Sequence, residues 1–129
     1  MYLICSLLTL FMCQFIKSII YIIKNKKFNF LIVISSGGFP SAHASFITSI
    51  TTLIGLKEGF NSSIFALALV FTLITCYDAI NVRYESGRHA KVLNEKFNLK
   101  MKVNIGHQLI EVIAGVILGI IVATIFYIW

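Results

Sequence analysis

The sequence predicts an all-α integral membrane protein, a helical bundle of about four spans with a short re-entrant or interfacial segment before the second. Three observations carry this. The 129 residues are 58% hydrophobic and only 12% charged, where a soluble domain carries about 25% charged residues. Too little polar surface remains to coat a water-soluble globule. The apolar residues gather in runs close to the ~20 residues that a bilayer core requires. The charge is also segregated. Of the eleven Lys and Arg, only Lys57 lies outside two neighbourhoods. One is Lys17, Lys24, Lys26 and Lys27, the other Arg83, Arg88, Lys91, Lys96, Lys100 and Lys102. A chain of this length reads as one membrane domain over residues 1–129.

The first run extends from Met1 to about Ile23. It lacks the basic start and the Ala-x-Ala site of a signal peptide, so it reads as an uncleaved span. Lys17 interrupts its second half and must either snorkel to the interface or face the protein interior. Asn25 to Asn29 is a basic connection. Phe30 to Ile34 is apolar but too short to span, which suits a re-entrant piece leading into the Ser36-Gly37-Gly38 turn. Pro40 fits the first position of a helix, and a second span runs from about Ser41 to Leu56. It is rich in Ser and Thr, so it belongs inside the bundle rather than against lipid.

Lys57 to Asn61 is a turn. The third span covers about Ser62 to Ile80, with a helical extension through Leu93, and Asn94 to Asn104 is a polar, basic loop. The fourth covers about Ile105 to Trp129 and contains Gly115-x-x-x-Gly119, a spacing that lets helices approach closely. Tyr2, Tyr127 and Trp129 suit an interfacial aromatic belt. Cys5, Cys13 and Cys76 lie in apolar runs without metal-pair spacing and read as core residues.

Four spans place both termini on one side and both basic loops on the other. By the positive-inside rule the loops are cytoplasmic and the termini outside, in the inner (cytoplasmic) membrane of a bacterium. Nucleic acid is not an expected partner, because the basic segments connect spans.

The same threading gathers the unusual polar residues at the basic end. These are Lys17, then Ser41 and His43, then Asp78, Asn81 and Arg83, then His107 and Glu111. All fall within about two helical turns of the interface. His107 and Glu111 are four apart, which on a helix gives them one face, and a carboxylate beside an imidazole prepares it as a base or nucleophile. Gly37 and Gly38 ahead of a helix start offer backbone N–H groups and a positive dipole end, an anion site. Arg83 can grip phosphate in bidentate fashion and Lys17 adds a point charge. His43, on the first turn of its helix, could protonate a leaving oxygen. These parts describe phosphoryl transfer through a histidine. No cofactor and no metal are expected. Each residue alone has a plainer reading: a packed histidine, interhelical glue at Asp78 and Asn81, an ordinary turn at Ser36-Gly37-Gly38. Glu85, Arg88 and His89 read as solvated surface.

Ser36-Gly37-Gly38-Phe39-Pro40-Ser41-Ala42-His43-Ala44-Ser45 resembles the Gly-Gly-Met-Pro-Ser-Ser-His-Ser segment of the divergent branch of the type 2 phosphatidic acid phosphatase family. That branch is also called acid phosphatase/vanadium-dependent haloperoxidase-related. Tyr77-Asp78-Ala79-Ile80-Asn81-Val82-Arg83, with Gly87, Ala90 and Val92-Leu93-Asn94, is similar to its second block, and Gly106-His107 with Glu111 to Gly119 to its third. Gln14 and Lys17 resemble a Gln-x-x-Lys pair in the first span. The resemblance implies a nucleophile at His107, its orienting acid at Glu111 and a proton donor at His43. Lys17, Ser41 and Arg83 would bind phosphate, without a divalent metal. Three positions depart from the wider superfamily. Met101 stands where an arginine precedes the nucleophile by six residues, Glu111 replaces an Asp, and Ala42 replaces a Gly.

The expectation is a phosphatase acting on a lipid phosphate or diphosphate, isoprenoid or glycerolipid, whose tail stays among the membrane lipids. The alternatives are a non-catalytic lipid-phosphate binder or carrier and a structural subunit. A homodimer through the Gly115/Gly119 face is one assembly that four thin helices would allow.

Overall fold

In a computed structural model the described residues are 1–26, 38–101, 103 and 108–129, with Arg83 described by its backbone alone. Among the described residues five helices follow one another: α1 (Tyr2–Asn25), α2 (Ala42–Glu58), α3 (Ser63–Ile80), α4 (Val82–Phe97) and α5 (Leu109–Ile128). No strand occurs among the described residues. Among the described residues three stretches are long and apolar enough to cross a membrane: Tyr2–Asn25, Ser63–Phe97 (α3 with its extension α4) and Leu109–Ile128. The molecule is an all-helical integral membrane bundle.

The remaining helix, α2, has 17 residues, about 25 Å by the helical rise. It packs against α1, α3 and α5. Ala42, Ala44, Ser45, Thr48, Ser49, Thr51, Leu53, Ile54 and Gly55 are all buried along it. The expectation of an interior, hydroxyl-rich second helix holds. Two of its hydroxyls are met locally, Ser45 and Ser49 donating to the carbonyls of Ala42 and Phe46 at 3.0 and 2.8 Å, whereas the buried Thr48 Oγ1 has no partner among the described residues. One pair crosses helices, Thr51 Oγ1 to Thr72 Oγ1 at 2.8 Å, joining α2 to α3.

Two apolar layers fix the directions of the helices. Cys5, Leu53 and Ala123 form one. Ala44, Ala79 and Val112 form the other. On α2 and α5 the chain runs from the second layer to the first, so these two are parallel. On α1 it runs the opposite way: Tyr2 Oη bonds Glu58 Oε1 at one end, and Cys13 Sγ lies 3.5 Å from Pro40 O toward the other. On α3, Thr72 meets Thr51 and Ala79 meets Ala44, so it too is antiparallel to α2. Both termini therefore share one end, and the end of α1, the starts of α2 and α5 and the end of α3 share the other.

Glycine lets α5 approach α2. A Cβ on Gly115 would lie 2.5 Å from Ser41 O and 3.0 Å from Ala44 Cβ, and one on Gly119 2.7 Å from Ser45 O and 2.9 Å from Thr48 Cβ. The two glycines are buried in this contact. That corrects the expected role of the Gly115/Gly119 face: it is spent within the chain and is not open to a second copy.

Several boundaries shift. Ser41, not Pro40, caps α2: its Oγ accepts from Ala44 N–H at 3.4 Å, so Pro40 lies just before the cap and is not the first helical residue. A Ser at this position satisfies an otherwise orphan N–H, which outweighs the preference of Pro for N1. The third span breaks at Asn81 and resumes as α4 to Phe97, past Leu93. The turn after α4 is closed by Asn94, which donates to Met101 O at 2.9 Å and accepts from Met101 N–H at 2.8 Å. The last helix begins at Leu109 rather than near Ile105. The Phe30–Ile34 segment and the Ser36-Gly37 part of the turn lie outside the described residues.

Candidate functional site

The basic end is built on one backbone link. Ser41 N–H donates to Glu111 O at 2.9 Å. The first turn of α2 is thereby held against the first turn of α5, and two helix starts, each a positive dipole end, lie side by side. Ser41 is fully buried. Gly38, two residues ahead of Pro40, has φ of 97°, a conformation glycine adopts freely. Gly37 lies outside the described residues.

Lys17 comes from α1. It continues the buried stripe of Cys5, Thr9 and Cys13 at four-residue spacing, and only 3% of its surface is exposed. It therefore faces the protein and does not snorkel. Its Nζ has no hydrogen-bond partner among the described residues, and it lies within Coulombic range of Glu111. Gln14, one turn earlier, likewise has a buried Oε1 with no partner among the described residues. From Lys17 to the end of α1 at Asn25 is eight residues, about 12 Å. The site is recessed from that end of the helix.

Glu111 is half-buried. Its Oε2 accepts from the N–H of Gln108 at 3.1 Å, closing the start of α5. Gln108 itself is extended, with φ −72° and ψ 152°. The shared helical face expected of His107 and Glu111 falls on His107, which lies outside the described residues.

His43 is half-buried. By helical spacing it shares a side of α2 with Phe46, Ile47 and Ile50, away from Ala44 and Thr48, which meet α5. Asp78 is half-buried beside Ala79, which packs on Ala44 and Val112, so it stands near the level of Ser41 and Glu111. Asn81 is exposed, and the side chain of Arg83 is not described. Glu85 and Arg88 form an exposed pair at 3.0 Å, and His89 is exposed, the surface role expected of them. The structure thus brings Lys17, Ser41, Asp78 and Glu111 to one level and adds Gln14, whose part in the site the sequence signalled only through its place in Gln-x-x-Lys. A cavity of about 240 Å³ lies elsewhere, between α1 and α5, lined by Leu8, Met12, Val122, Ile125, Phe126 and Trp129. It is wholly apolar and offers no chemistry.

The sequence pattern of the Divergent PAP2 family matches residues 1–122. The chain belongs to this family. It is also similar to YuiD of Bacillus subtilis (strain 168), described as an uncharacterized membrane protein, with 34% identity over 137 residues, covering 90% of this chain and 87% of that one. No solved structure matches. The family match spans α1 to α4 and most of α5, so every residue at the recessed level falls within it.

Proposed function

We propose that this Divergent PAP2 family protein hydrolyses a lipid phosphate or diphosphate, by attack of His107 on phosphorus. The observation that carries the reading is Lys17: a buried cation, unmatched by a hydrogen-bond partner among the described residues, beside two helix N-termini tied by the Ser41–Glu111 link. Such a place favours an anion. Its recess of about 12 Å from the end of α1 favours a substrate already anchored in the bilayer over a soluble ester. Lys17 and the N–H groups at the start of α2 hold the phosphate oxygens, with Gly38, Asp78 and Arg83 completing the pocket. Glu111 positions His107 by its charge while capping α5. His43 gives a proton to the leaving oxygen, and water then releases phosphate from the histidine.

The basic loops face the cytoplasm in this reading, with both termini outside, since ten of eleven Lys and Arg lie at or beyond the site end. The test is phosphate release by purified protein in detergent with EDTA, over phosphatidic acid, phosphatidylglycerol phosphate and isoprenoid phosphates. We expect release from at least one, lost in His107→Ala. Full turnover in a folded His107→Ala protein overturns the mechanism.

A second reading, a lipid-phosphate binder without chemistry, has its own support at Met101. That position, where the wider superfamily has arginine, is clasped through its backbone by Asn94. Binding of these lipids with no release from any of them would select this reading.

A further inference from the structure

We propose that the lipid's tail lies in a slot between α1 and α3, floored by α2, and that its head group reaches the site sideways through that slot; this rests on the lipid-phosphate reading above. α1, α3 and α5 all pack on α2, and α5 touches both α1 and α3, but α1 and α3 do not touch each other. One side of α2 therefore has no helix laid over it among the described residues. The contacts of α2 say which side. Ala44 and Thr48 meet α5, Thr51 meets α3 and Leu53 meets Cys5 of α1. What remains is His43, Phe46, Ile47 and Ile50, at the i, i+3, i+4, i+7 spacing of one helical stripe. All four are half-buried, whereas Ile74 on the outer side of α3 is 60% exposed. The stripe is the floor of a recess and not a ridge facing the bilayer.

The polar residues of the site open onto the same slot. On α1, Leu8 and Met12 face α5 across the apolar cavity. Helical spacing puts Gln14 on the flank away from α5, which borders the slot, with the buried Lys17 beside it. On α3, Cys76 and Ile80 pack on the layer of Ala44, Ala79 and Val112, and the same spacing leaves Asp78 on the flank away from α5. His43 lies between the two walls, on the floor. The slot thus grades from polar and charged at the basic end to apolar along Phe46, Ile47 and Ile50, with about 10 Å of helix between His43 and Ile50. A lipid phosphate has the same gradient, an anion for Lys17 and hydrocarbon for the stripe. A second copy of the chain matches it poorly, since an apolar outer face laid over the slot would leave Lys17, His43 and Asp78 against hydrocarbon.

The test replaces Ile50 by the photoreactive residue benzoylphenylalanine in the full chain carrying His107→Ala. The protein is reconstituted in phosphatidylcholine vesicles with a minor share of either phosphatidic acid or an isoprenyl monophosphate, and the lipids attached on illumination are identified by mass spectrometry. We expect one of the two phosphate lipids to be captured about tenfold above its share of the vesicle, the weight of one charge-assisted hydrogen bond. Lys17→Met should remove that enrichment. The same replacement at Ile121, exposed on the outer side of α5 and level with Ile50, should capture lipids in vesicle proportions. Phe46 is a second slot position should the Ile50 variant not fold. Vesicle proportions at the slot overturn the proposal, as does an enrichment that survives Lys17→Met or is equal at Ile121. Adducts between two protein chains at Ile50 give the slot to a second copy and overturn it too. No turnover is involved, so a binder without chemistry would show the same enrichment, and loss of the enrichment leaves hydrolysis open.

Discussion

Lys17 carries two opposite expectations. As a buried cation without a hydrogen-bond partner among the described residues, it is a burden on the fold. As an anion ligand it is needed by the site. Lys17→Met should therefore leave the thermal midpoint in detergent unchanged or higher while cutting lipid-phosphate affinity at least tenfold. A fall in both would make it a structural residue. Glu111 separates in a similar way. Its carboxylate accepts from Gln108 N–H, a bond that glutamine can also accept. Glu111→Gln should keep stability within about 0.5 kcal/mol and yet slow turnover at least tenfold, whereas Glu111→Ala should also lose about 1 kcal/mol of capping. Melting curves beside initial rates decide this. The sequence marked both residues as unusual. The direction of Lys17 was legible as well, since Ser6, Thr9, Gln14, Lys17 and Ser18 share one side of α1 by helical spacing. Glu111 was read as a partner of His107, because its spacing is helical, when it also closes the helix at Gln108. A Gln-x-x-Glu start lacks the Ser or Thr that usually announces a capping box.

At the scale of elements, the contact between α2 and α5 sets the site. Gly115 and Gly119 let the two helix starts meet, and an added methyl would press on Ser41 O and Ser45 O, which are backbone and cannot swing aside. Gly115→Ala should cost about 1–3 kcal/mol, as overpacking does. By pushing Ser41 off Glu111 it should also reduce phosphate release more than Gly119→Ala does. The hydroxyl pair between α2 and α3 is a smaller matter. Thr72→Val should cost about 0.6 kcal/mol, the typical worth of an interhelical hydrogen bond in a membrane protein. Both follow from unfolding series in detergent. The helices themselves were legible from apolar runs and from the hydroxyl-rich character of α2. The partner of the glycine pair was not, since small-residue spacing states that a helix approaches closely without saying which one.

For the whole molecule, the ends are arranged as the alternation of runs and basic segments implied: α2 and α5 parallel, α1 and α3 opposed to them, both termini together. In the reading proposed above, the side that faces the cytoplasm is assigned by charge alone. Cysteines placed at Lys24 and Lys96 should resist an impermeant maleimide in intact cells, and one placed at Trp129 should react. The reverse pattern would turn the site outward. The order of spans could be read from composition, because a bilayer dictates length and apolarity. The level at which Lys17, Ser41 and Glu111 meet could not, since it depends on how far α1 overhangs the starts of α2 and α5. The most direct test of histidine-mediated phosphoryl transfer at this level is mass spectrometry of protein quenched during turnover of a lipid phosphate. Phosphate on His107, absent from His107→Ala, is the predicted result. Continued turnover with phosphate on another residue, or undiminished in His107→Ala, would contradict it.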